Sequence, residues 1–119
     1  MPRQRIDMTP DEIDAFLAGK HVAIVGTIAM DGAPDGDPAA FSWVAHQALF
    51  VVGLGGPTHR NLLLDARVVC SVEEFPSYAG IKGVAVHGTA ALLSERGGRA
   101  TFRVDGARIE SFDFARMRR

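Results

Sequence analysis

Lysine is almost missing from this chain. Lys20 and Lys82 are the only two, and arginine supplies the rest of the 13 basic residues. Set against 14 acidic residues, they leave a formal net charge of −1. No bulk field of either sign exists to recruit nucleic acid or an anionic membrane surface. Cysteine is scarcer still. Cys70 stands alone in the apolar run VVCSV, so an internal disulfide and a cysteine-based zinc site are both excluded, and a buried, inert thiol is expected. No apolar stretch reaches the ~18 residues of a membrane span. The opening MPRQRIDMTPDE has no apolar signal core. A cytoplasmic protein of a reducing compartment is expected, with neither membrane nor nucleic acid as partner.

Catalytic signatures are missing as well. There is no G-x-S-x-G elbow and no Gly-Lys-Ser/Thr of a P-loop. His21, His46, His59 and His87 are scattered, with no H-x-H or H-x-x-x-H spacing, so they read as structural or surface histidines rather than metal ligands. The pairs Asp11/Glu12 and Glu73/Glu74 read as helix capping and a solvated strand end. No side chain presents itself as catalytic acid, base or nucleophile.

What remains is a chain of 119 residues, 47% hydrophobic and 23% charged, which suits one globular domain with one core. Thr9-Pro10-Asp11-Glu12 combines an N-cap, a first-turn proline and a capping box. Ile13, Phe16 and Leu17 follow on one helical face, and Gly19 ends that helix. Strands are predicted at His21–Ala29, Ala39–Ala45, Ala48–Leu54, Val68–Glu74, Ile81–Leu93 and Ala100–Val104, with a seventh candidate at Arg108–Phe114. Asp31-Gly32, His46-Gln47, Gly97-Gly98 and Asp105-Gly106 read as turns, and Asp35–Pro38 as a longer polar break. Gly88 inside a long strand predicts a bend or bulge. One helix, at about 57–65, interrupts this series. Short strands around a single inserted helix predict a mainly β fold, an antiparallel barrel of six to seven strands with peripheral helices. The single domain of residues 1–119 divides into an N-terminal helix region (1–20), the barrel (21–114) and a basic tail (115–119). The tail's Arg116, Arg118 and Arg119 read as a frayed, solvated terminus.

The segment GLGGPTHRNLLLDAR, residues 53–67, carries most of the functional signal. A glycine loop feeding a helix N-terminus offers unpaired N–H groups and a positive dipole end, which suit an anion such as a phosphate. The same pattern also serves a plain strand-to-helix turn that needs glycine.

Several motifs resemble one family in order and spacing. They are Val22–Thr27 followed by Asp31-Gly32-Ala33-Pro34 and Pro38; Arg60-Asn61-Leu62 followed by Asp65-Ala66-Arg67-Val68; Tyr78 followed by the alternating Val84, Val86, Gly88 and Ala90; and the closing Arg108–Phe114. Together they resemble the pyridoxamine 5′-phosphate oxidase-like split β-barrels. That family includes flavin and deazaflavin (coenzyme F-420) oxidoreductases and haem-utilisation proteins.

The resemblance implies an FMN-binding type of split barrel. It implies a homodimer with cofactor sites at the interface, a small-molecule substrate, and a cofactor phosphate near the loop after the third strand. Gly55, Gly56, Thr58, His59, Arg60 and Asn61 are the cofactor-binding candidates there. Arg60 reads as a phosphate contact or a solvated helix arginine, and Asn61 as a ligand contact or a brace of the turn. Ser42 and Trp43 lie on the strand that lines the flavin in such proteins. Alternation puts Ser42 on one face and Phe41 with Trp43 on the other, where Trp43 can equally be core or dimer interface. Two departures stand out. Pro57 and Thr58 occupy positions where phosphate-binding relatives carry Arg and Lys, and Ser94–Arg99 is a short hairpin where many relatives insert a helix. The implied function is an FMN- or F-420-dependent oxidoreductase. The alternatives are a flavin, haem or tetrapyrrole binding module without turnover, or a cofactor-free structural dimer.

Overall fold

Buried and exposed side chains alternate along the shorter strands and parts of the longer ones, and the inward set fills the interior of the closed sheet. In the computed structural model, which describes residues 6–76 and 80–117, six antiparallel strands form one closed barrel. They are β1 (Val22–Ile28), β2 (Pro34–Val44), β3 (Gln47–Gly53), β4 (Arg67–Glu74), β5 (Lys82–Arg96) and β6 (Arg99–Asp113). Their spatial order is β1-β2-β3-β6-β5-β4, with β4 pairing back onto β1. Tyr78, one of the residues that carry the resemblance, lies outside the described residues, as do Arg118 and Arg119.

The barrel interior is apolar. Val25, Phe50, Cys70 and Val86 are fully buried, and the Phe50 and Phe102 rings stack 5.3 Å apart. Two helices close the ends. Helix α1 (Pro10–Ala18) starts with the expected capping box: the Glu12 N–H donates to the Thr9 hydroxyl and the Thr9 N–H to the Glu12 carboxylate. It buries Phe16 and Leu17 at the end where β2 and β4 finish. Helix α2 (Pro57–Leu64) sits at the opposite end and buries Leu62.

Four expectations need correction. First, residues 35–38 are not a break. They form the first half of β2, paired with β1 through Asp35↔Thr27 and Asp37↔Val25. Pro38 is tolerated because this stretch of β2 has a ladder partner on one side only. The two aspartates find hydrogen-bond partners on α2. Second, Asp105-Gly106 is no hairpin turn. Arg99–Asp113 runs through it as one strand, so the barrel has six strands and not seven. A register shift between His87 and Thr89 absorbs the irregularity, and Gly106 sits at φ +62°. Third, the β2–β3 turn falls on Ala45 and His46, both at positive φ, with Val44 paired to Gln47. Fourth, Arg116 is not frayed. It lies in a short 3-10 turn (Phe114–Met117) and pairs with the Glu12 carboxylate of α1.

Candidate functional site

The glycine segment folds as a strand-to-helix turn in which most polar groups already have partners. Strand β3 ends at Gly53, and Gly55 takes φ +77°, a conformation that favours glycine. A β-carbon at Gly56 would lie 3.3 Å from the Gly53 carbonyl oxygen, which accepts from the Gly56 N–H at 3.1 Å. The Leu54 N–H donates to the Gly98 carbonyl at 2.9 Å, tying the loop to the β5–β6 hairpin turn.

Helix α2 is anchored residue by residue. The buried His59 accepts the Gly55 N–H on Nδ1 at 2.9 Å. Its proton therefore sits on Nε2, which donates to the Glu95 carboxylate at 3.1 Å. The exposed Arg60 donates to the Gly55 carbonyl at 2.7 Å. The buried Thr58 hydroxyl donates to Asp37 at 3.1 Å. The buried Asn61 amide donates to Thr27 Oγ1 at 3.0 Å and to Asp35 at 2.9 Å. Asp65 caps the helix end and forks onto Arg67, whose guanidinium holds the Asp65 carboxyl down at about 2.

This wiring decides what the α2 N-terminus can bind. Asp37 brings the protein's own carboxylate to the first turn, where the helix dipole favours negative charge. Asp35 adds a second close by. A phosphate here would meet the Asp37 carboxylate bonded to Thr58, and Arg60, the cation on the same turn, is held on a carbonyl. The α2 terminus is thus a poor fit for a phosphate.

The outer face of the sheet offers a different surface. Ala40 on β2 and Val51 on β3 are cross-strand partners facing outward, and a cleft of about 430 Å³ runs beside them to Gly53, Gly98 and Arg99. Ser42 lies on this same outward face of β2. Trp43 points the other way, packs against the core and donates Nε1–H to Asp14 at 2.9 Å. That bond, together with one to His46, holds the Asp14 carboxyl below its usual range. The predicted residues therefore split. Ser42 shares the outward face of β2 with Ala40 but lies outside the cleft lining, Gly55 and Gly56 lie on the loop between, Thr58, His59 and Asn61 face the barrel end, and Trp43 belongs to the core. Burial pushes the Cys70 thiol up to about 12, so it is inert.

Four residues of this region escaped the sequence reading: Asp35, Asp37, Glu95 and Arg99. The Asp-x-Asp alternation of 35–37 was a strand signal hidden under turn-forming residues. Glu95 and Arg99 flank a glycine turn, and only the ladder shows that this turn meets the β3 loop.

A family model described as pyridoxamine 5′-phosphate oxidase matches residues 9–117. No curated protein matches the chain at a significant level. Among solved structures, a conserved hypothetical protein of Mycobacterium tuberculosis superposes with a TM-score of 0.85 at 20% identity, covering 98% of this chain and 92% of the other. An FAD-binding protein of Mesorhizobium loti gives 0.76 at 16% identity, with 89% and 95% covered. A structure described as an F420 reductase gives 0.68 at 16% identity, with 81% and 94% covered. At such identities the likeness is one of fold.

Proposed function

The chain belongs to the pyridoxamine 5′-phosphate oxidase family, and from that premise we propose that it is a flavin- or deazaflavin-dependent oxidoreductase acting as a homodimer. The observation that carries this reading is the cleft of about 430 Å³ on the outer face of β2 and β3. Its floor, Ala40 and Val51, is flat and apolar, as a planar ring system requires. Ser42 supplies a hydroxyl on the same face for a polar edge of that ring. The bound cofactor supplies hydride chemistry. The chain's own residues orient it and exclude water from one ring face. The flavin-binding and F420 reductase neighbours support this class of cofactor without separating its members.

Titration of the purified protein with FMN, F-420 and haem tests the reading, followed by visible spectra and fluorescence quenching. Saturable binding of FMN or F-420 is expected, with the bound form reducible under anaerobic conditions. Binding of haem alone would make the protein a tetrapyrrole module. Failure of all three would leave a structural dimer.

A further inference from the structure

The β5–β6 hairpin ends in an arrangement that its own fold does not explain. Arg96 and Arg99 face each other directly across the Gly97-Gly98 turn. Like charges directly opposite on a ladder are destabilising. Neither guanidinium joins an ion pair among the described residues, although Arg67, Arg103, Arg108 and Arg116 all do. Glu95, the carboxylate nearest in sequence, points inward with Ala100 and is held by His59.

Register sets where these cations lie. Arg99 pairs with Gly53 and Thr101 with Val51, so Arg99 stands on the outward face at the glycine end of the cleft. Gly53 has no side chain to obstruct it, and a β-carbon there would meet nothing within 4 Å.

We propose that Arg99, with Arg96 beside it, holds the phosphate group of the bound cofactor at the hairpin turn, and that the α2 N-terminus does not. This rests on the flavin or deazaflavin reading and gives it a polarity: ring over Ala40 and Val51, phosphate toward Gly53 and Gly98. It also explains how the chain dispenses with basic residues at 57 and 58. The two arginines sit across the glycine loop, where the hairpin's own carboxylate, Glu95, is held by His59, while Asp35 and Asp37 bond to α2 on the other side.

Whichever cofactor binds, FMN or F-420, is titrated beside its phosphate-free counterpart against wild type, Arg99→Gln, Arg96→Gln and Arg60→Gln. Loss of one charge-assisted contact should weaken the phosphorylated ligand about tenfold or more in Arg99→Gln, and leave the phosphate-free one unchanged. Arg99→Lys should recover part of the loss. A loss confined to Arg60→Gln, or equal loss of both ligands in Arg99→Gln, would overturn the assignment while the cofactor reading stands. Inorganic pyrophosphate supplies a readout independent of any flavin. It should raise the melting temperature of wild type and not of Arg99→Gln. Stabilisation by pyrophosphate in a protein that binds no flavin would sink the cofactor reading and keep the anion site. No differential effect of either probe would end the proposal.

Discussion

Asn61 shows how one side chain can hold three elements together. Its amide reaches Thr27 on β1 and Asp35 on β2 from the middle of α2, across sequence separations of 34 and 26. Thr27 and Asn61 belong to the motifs that carry the family resemblance, and in this chain they contact each other. The sequence allowed Asn61 to be either a brace or a ligand contact, because the partners that decide between these lie far away along the chain. Asn61→Ala removes a buried donor from two acceptors and should destabilise the protein by about 1–3 kcal/mol in urea unfolding. Asn61→Asp tests the same contact by charge. It sets a second carboxylate against Asp35, so stability should fall most near neutral pH. It should recover as pH drops into the carboxylate range and the new group binds a proton. Equal stability of both variants and wild type would mean that α2 is held by Leu62 and the loop alone.

At the scale of elements, local chemistry announced most of the strands and misjudged where β2 begins and where β6 stops. The capping box of α1, the helix at Pro57 and the turn at Gly97-Gly98 are written in adjacent residues, and the structure has all three. Asp35–Pro38 and Asp105-Gly106 look locally like turns, yet both lie inside strands because of what stands opposite them. Gly88 makes the second case. A β-carbon there would lie 2.4 Å from the Asp105 carbonyl oxygen and 2.7 Å from Val104 Cγ1. Strands β5 and β6 therefore approach closely at this point, and the register slips by one residue just beside it. The bend was foreseeable from a glycine within a long strand, whereas its effect on β6 was not, since that depends on the ladder. Gly88→Ala forces a backbone oxygen to move rather than a flexible side chain. It should cost about 1–3 kcal/mol in chemical denaturation, in the manner of an overpacked core. A neutral outcome would show that the bulge can open without loss.

For the whole molecule, the question is what covers the outer face of the sheet. Strand β1 turns Val22 and Ile24 outward, 59% and 49% exposed, although it lies between β2 and β4. Their outward cross-strand partners, Ala40 and Pro38, are apolar too, and Val51 continues the surface to the cleft. Contiguous exposed apolar surface of this kind marks an interaction site. A second copy is the occupant in the homodimer proposed above, and it would wall the cleft from the open side. Wild type should therefore sediment as a dimer at micromolar concentration. Ile24→Glu tests this without touching the core, since the side chain points away from it. In a two-fold interface the substitution appears twice, and each buried, unpaired carboxylate opposes association. The expected result is a folded monomer by sedimentation, with the far-ultraviolet circular dichroism of wild type and weakened cofactor binding. A dimer that survives Ile24→Glu would move the interface to another face. A monomer with unchanged cofactor affinity would show that one barrel holds the cofactor by itself.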